Sequence, residues 1–243
     1  MRHDGRSSIQ MRPVKITPGF TSNAEASVMI ECGNTKVLCT VCVDEKLPGW
    51  MRDQRGKSGW VTAEYSMLPG ATHTRSRRER SSVSGRTQEI QRLIGRSVRG
   101  IVDLSLLPDL TLTIDCDVLQ ADGGTRTTSI TGAYVALKMA VDSLIRKGKL
   151  KQSPIVEPLA AVSVGVKEDQ ILVDLDYIED SSADLDMNVV LTSSGKILEI
   201  QGTAERQAFT KEQVVTIIDT ATDALAPIFE LQQQASEGEV VES

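Results

Sequence analysis

The stretch LTLTIDCDVLQADGGTRTTSITGAYVALK, residues 110–138, changes its period halfway along. Leu110, Leu112, Ile114, Cys116 and Val118 alternate onto one face, the pattern of a half-buried strand. Ile130, Ala133, Tyr134 and Leu137, followed by Val141 and Leu144, instead fall on one helical stripe that stops near Lys147-Gly148. Between the two lies Asp122-Gly123-Gly124-Thr125-Arg126, a turn that delivers the chain from a strand into the amino end of a helix.

Working upstream, ASVMIECGNTKVLCTVCV reads as a hairpin turning at Gly33-Asn34, and WVTAEYSML as a strand that runs into Pro69-Gly70. Ile90, Leu93, Ile94 and Val98 predict a helix over 86–98, with Gly100 as its stop. Downstream, AAVSVGV and ILVDLDY form a second hairpin across Glu168-Asp169. MNVVLT and KILEIQ meet at Ser194-Gly195, and a long helix is expected from about Thr210 to Gln232. Hairpins that lead to later helices in both halves hint at a distant duplication without a residue-level repeat. The acidic tail QQQASEGEVVES reads as disordered.

The chain has 243 residues, 40% of them hydrophobic, with only three Phe, two Trp and three Tyr, so aliphatic side chains must fill its core. An extended aromatic platform for stacking bases is thereby excluded. The amino terminus MRHDGRSSIQMRP has no apolar stretch, and no uncharged apolar run approaches the ~18 residues of a membrane helix, so a cytoplasmic protein with no membrane partner is expected. Cys39 and Cys42 make a C-x-x-C, but three residues apart on a strand they face opposite sides. With Cys32 and Cys116 they read as ordinary buried thiols, no second pair or nearby histidine completing a zinc site.

The formal charge of −6 is very unevenly spread: residues 1–99 carry 17 Lys and Arg against 9 Asp and Glu, residues 100–243 carry 10 against 24. That polarity predicts a basic surface for an anion and an acidic remainder able to include a metal site.

Three constellations could carry chemistry. The turn 122–126 offers unpaired helix amides, two glycines for close approach, and Arg126 and Thr125 as further donors, a set suited to a small oxyanion. An ordinary turn with Thr127 or Ser129 as helix cap is the competing reading. Arg75, Arg77, Arg78 and Arg80 fit either an element that tracks phosphodiesters or a solvated charge run, with Glu79 the one acid among them. Arg86, beside a helix start, can turn inward towards a phosphate. EDSSADLDMN, residues 179–188, sets Asp180, Asp184 and Asp186 before an apolar strand, either as ligands of a hard cation or as an acidic exposed loop. With only His3 and His73, neither in a Ser or Cys motif, no nucleophilic triad can be assembled.

Taken in order, R-x-D-G-R at 2–6, the run from Ser84 to Arg99, D-G-G-T-R-T at 122–127, E-D-S-x-A at 179–183, D-M-N at 186–188 and E-I-Q-G-T-A-E at 199–205 resemble the bacterial ribonuclease PH family over essentially residues 1–230. The resemblance implies an α+β fold of two related halves, each a mixed β-sheet packed against helices. Residues 1–150 would bear the RNA and phosphate elements, 151–232 the acidic loop, and 233–243 would be the disordered tail. It implies a phosphorolytic 3′-to-5′ exoribonuclease, also called a transfer RNA nucleotidyltransferase, trimming tRNA precursors and attacking structured rRNA as a homo-hexameric ring of three dimers. Carried over by position, Arg86, Gly124, Thr125 and Arg126 would hold inorganic phosphate, the co-substrate. Asp180 and Asp186 would bind Mg²⁺ (or Mn²⁺) and act in catalysis, and Arg75, Arg77, Arg78 and Arg80 would bind RNA. Asp184 stands where relatives often carry Glu and is left outside that set.

Overall fold

Strand structure begins earlier than the sequence pattern indicates, at Val14–Pro18 (β1), a segment whose flanking prolines and charged neighbours disguise it. The computed structural model describes residues 2–80, 82–204 and 208–243. The hairpin of β2 (Ala26–Cys32) and β3 (Thr35–Asp44) turns at Gly33-Asn34 as expected. β4 (Trp60–Met67), helix α1 (Gly85–Arg99), β5 (Thr111–Gln120) and helix α2 (Thr125–Arg146) complete the first half. The second half holds β6 (Leu159–Lys167), β7 (Gln170–Val173), the single-turn helix α3 (Tyr177–Asp180), β8 (Leu185–Thr192), β9 (Ile197–Ala204), the long helix α4 (Lys211–Ser236) and β10 (Val241–Glu242).

One sheet runs β10-β1-β2-β3-β5-β4 and is mixed, because β4 pairs parallel with β5 while the other pairings are antiparallel. The other runs β7-β6-β8-β9. It is wholly antiparallel, which corrects the expectation of a mixed sheet in each half: β6–β7 and β8–β9 are hairpins, and the segment bearing α3 carries the chain from β7 past β6 to β8. The architecture is α+β.

Helix α2 lies between the two sheets, against β2 and β3 on one side and β6 on the other, so it is buried nearly all round. Gly132 permits that contact: a Cβ there would sit 2.6 Å from Ile30 and 2.9 Å from the Cys39 sulfur. One continuous core therefore joins both halves. On β3, Cys39 is buried and Cys42 exposed, so the thiols do face opposite ways, although Cys42 is not the buried thiol the sequence reading expected. No helix among the described residues is long and apolar enough to cross a membrane.

The tail is ordered. α4 continues to Ser236, and β10 then pairs with the edge of β1, Val241 opposite Ile16, while the Ser243 amide donates to the Val14 carbonyl. Composition made it look unstructured, but β1 presents unpaired backbone groups that a short extended segment can satisfy.

Candidate active site

Gly123 and Gly124 both adopt positive φ, +74° and +62°, the left-handed region open to glycine at least cost. A Cβ at Gly123 would lie 2.5 Å from the Leu175 carbonyl oxygen and 2.6 Å from the Asp176 carbonyl carbon, so the turn is pressed directly against the second half. Gly124 itself is the N-cap of α2 and provides no side chain. The Thr127 hydroxyl donates to the Gly124 carbonyl at 2.9 Å and the Ser129 hydroxyl to the Thr125 carbonyl at 2.7 Å. Neither is the N-cap, so the capped-turn alternative fails. The first amides of a buried helix remain without a side-chain cap, at its positive dipole end.

Around this helix start the side chains are cross-braced. The Tyr65 hydroxyl, from β4, donates to Thr125 Oγ1 at 2.9 Å. Burial pushes the Tyr65 phenol up, opposed by the Thr125 hydrogen bond and the positive charges of Arg86 and Arg126. Both guanidinium groups thus act on the same phenol from different helices. Arg126 Nη1 donates to Gln201 Oε1 on β9 at 2.5 Å and lies 3.6 Å from Glu89 Oε1 on α1. Gln201 Nε2 in turn donates to Glu89 at 2.9 Å. Since Arg86 and Glu89 are three apart on α1, they share a helix face, and Arg86 is carried to the side where Arg126 sits. Arg86 is exposed and makes no ion pair among the described residues.

The acidic segment approaches from the second sheet. Asp180 ends α3 and is exposed; Asp186 lies half-buried on β8. Asp186 pairs with Thr203, and Asn188 pairs with Gln201. Directly opposed residues of an antiparallel pair share a face, as do residues two apart on a strand. Asp186 therefore points to the same side as Gln201, the residue that holds Arg126. Asp184 has another task, accepting from the Glu168 amide at 3.0 Å at the β6–β7 turn.

The arginine loop has a different character. Arg75, Arg77, Arg78 and Arg80 are all exposed and form no ion pair among the described residues. Glu79, their one acidic neighbour, is turned to the start of α1, where it accepts from the Thr87 hydroxyl at 3.2 Å. The loop is thus pinned at its acid, next to Arg86, and its cations are left to solvent.

Sequence reading assigned no role to Tyr65, Glu89 or Gln201; the last two fall within the motifs quoted above, but contacts that cross three elements are not written in any one of them. It also missed a cluster in which ligand atoms of His3, Asp176 and Glu179 lie within 4.8 Å of one another. Arg2 makes a forked contact with Glu179, and Arg6 lies 3.5 Å from Glu179 and 3.9 Å from Asp176. Guanidinium groups already neutralise these carboxylates, which makes a poor seat for a cation and a strong brace for α3. The Glu205 end of the last sequence motif lies outside the described residues.

The sequence pattern of the 3′ exoribonuclease family, domain 1, matches residues 10–141, and that of domain 2 matches residues 157–224. Among solved structures, rice (Oryza sativa) Rrp46 aligns with TM-score 0.76 at 18% identity, covering 97% of this chain and all of its own. An archaeal exosome core aligns with TM-score 0.77 at 20% identity, covering 96% of this chain and 91% of that one. The Archaeoglobus fulgidus exosome with RNA bound to the active site gives 0.78 at 20% identity, covering 96% and 92%. At such identities the structures speak for the fold alone, while the two sequence patterns span most of the chain. With both domains present in order and the fold shared along almost its whole length, the chain belongs to the 3′ exoribonuclease family, the RNase PH group.

Proposed function

We propose that this protein is a phosphate-dependent 3′-to-5′ exoribonuclease of the bacterial ribonuclease PH kind, trimming tRNA precursors and able to attack structured rRNA. The observation that carries the reading is Arg126, held by Gln201 and Glu89 at an uncapped helix start that Tyr65 braces, on the face of the second sheet where Asp186 lies.

Inorganic phosphate would occupy Arg86, Gly124, Thr125 and Arg126. Bringing one phosphate anion up to another is repulsive, so the attacking phosphate must be neutralised and aimed by fixed donors. Arg126 is held ready by Gln201 and Glu89, and Thr125 by Tyr65. A phosphate oxygen attacks the phosphorus of the last phosphodiester, the bond to the preceding 3′ oxygen breaks, a nucleoside diphosphate leaves, and the proton of the attacking hydrogen phosphate passes to the 3′ oxygen by way of the Asp186 carboxylate. One half-buried and one exposed carboxylate suit a hard cation that keeps several waters, so Asp186 and Asp180 would hold Mg²⁺ (or Mn²⁺). When bound, that ion would offset charge on the scissile phosphate and the departing oxygen. Arg75, Arg77, Arg78 and Arg80 would track the RNA backbone. The assembly proposed is a homo-hexameric ring of three dimers, in the cytoplasm.

The test is product identity. Incubated with RNA and Mg²⁺, the protein should release nucleoside diphosphates only when inorganic phosphate is added. Monophosphates without phosphate would make it a hydrolase. The likeness to exosome proteins favours a second reading, an RNA-binding ring subunit that does not cut; binding of RNA with no release of nucleotide under either condition would establish that one instead.

A further inference from the structure

Beneath the phosphate turn lies a clamp that the proposed chemistry does not use directly. Thr35, wholly buried at the start of β3, donates from Oγ1 to the Gly123 carbonyl at 2.6 Å and accepts from the Asp122 amide at 2.9 Å. One hydroxyl thereby satisfies two successive backbone groups of the turn. Arg12, 5% exposed, donates from Nη1 to the Asp122 carbonyl. Its other donors go to a single carboxylate: Nε reaches Asp174 Oδ2 at 2.8 Å, Nη2 reaches Oδ1 at 2.7 Å, and the Arg12 amide adds a third bond at 2.8 Å. Asp174 is 2% exposed and sits at φ +55°, so its backbone is held in a costly conformation that turns the carboxylate onto Arg12. The Arg12 stem fills the space over Gly33, where a Cβ would lie 2.6 Å from its Cδ.

Building on the phosphorolytic reading, we infer that Thr35 and the Arg12–Asp174 pair are positioning residues for phosphate. They hold the carbonyls of Asp122 and Gly123 down, so that the glycine turn keeps its left-handed shape and the first amides of α2 face the incoming anion. Two consecutive positive-φ glycines are otherwise the most conformationally free residues in the chain. A clamp on the carbonyl side leaves the amide side open. Arg12 also ties the turn to Asp174, just upstream of α3 and Asp180, so the phosphate and acidic elements are referenced to one buried pair.

The experiment compares wild type, Thr35→Val and Arg12→Lys. Valine keeps the shape of threonine and removes both hydrogen bonds; lysine keeps the charge and cannot span Asp174 and Asp122 together. Two readouts are taken on folded protein: the KM for phosphate at saturating RNA, and equilibrium binding of inorganic phosphate without RNA. We expect Thr35→Val to raise both about tenfold, and Arg12→Lys by more, with RNA affinity changed by less than about twofold. Unchanged phosphate values in folded Thr35→Val, or phosphate and RNA values rising together, would overturn the positioning role and leave a purely structural one. A wild type that binds phosphate without turnover would overturn the proposed function alone, because the binding readout still judges the clamp. A wild type that binds no phosphate would overturn both.

Discussion

The turn at 122–126 and the loop at 75–80 both present arginine, yet they offer its charge in opposite ways. In the turn, Arg126 is aimed by Gln201 and Glu89, Thr125 by Tyr65, and the backbone by Thr35 and Arg12. In the loop, four arginines stand in solvent, and the only acid between them is drawn off to Thr87. A fixed cation can stabilise a charge that develops at one point, since no reorganisation is needed when it forms. Mobile exposed cations can only accumulate a polyanion, through displaced counterions. On the function proposed above, phosphate chemistry falls to the first region and RNA retention to the second.

The sharpest way to break it is Arg126→Ala, which should lower kcat/KM for phosphorolysis roughly 10³- to 10⁵-fold with RNA affinity little changed. An equal loss from Arg77→Ala would erase the distinction. Asp186→Asn is expected to reduce turnover about 10²-fold or more while leaving phosphate binding intact; full activity in that variant would remove Asp186 from the proton-transfer role.

Stability separates the regions next. Asp174→Asn leaves the Arg12 guanidinium buried without its counter-charge and should cost about 3 to 5 kcal/mol in denaturant unfolding, whereas Arg77→Ala should stay within about 0.5 kcal/mol. Burial alone would push Asp174 up, but the hydrogen bonds and charge of Arg12, helped by Arg6, hold it below the usual carboxylate range. A depressed native value means that its contribution is complete above the unfolded value of about 3.9 and is lost as pH falls through the native value. Acid titration of stability should therefore show a loss below about pH 4 that Asp174→Asn lacks. The smallest effect belongs to the loop: neutralising Arg77 and Arg78 should weaken RNA binding and reduce its log-log salt slope by roughly 0.7 to 0.9 for each RNA phosphate that is no longer neutralised. An unchanged slope would return the loop to plain solvated surface.

Most strands and both long helices are legible because each repeats a single period: the alternation of 110–118 became β5, and the stripe from Ile130 became α2. The missed pieces depend on partners far along the chain. β1 and β10 are short: β1 is held along its length by β2, and β10 forms because it completes the backbone hydrogen bonds of β1's free edge across more than two hundred residues. Arg12 and Thr35 bear no mark in sequence as supports of residue 122, since their role exists only where β1, β3 and the turn meet.

What the sequence determined by itself was the local alphabet of the site: a glycine turn before a helix, an arginine at another helix start, and aspartates before an apolar strand. Motif order along the chain also carried the family. Only the tertiary structure decided that the turn has no side-chain cap, that Gln201 joins Arg126 to the face bearing Asp186, and that the tail folds. Hydrogen bonding and burial act through space, and neither periodicity nor spacing encodes which distant partner a side chain will meet.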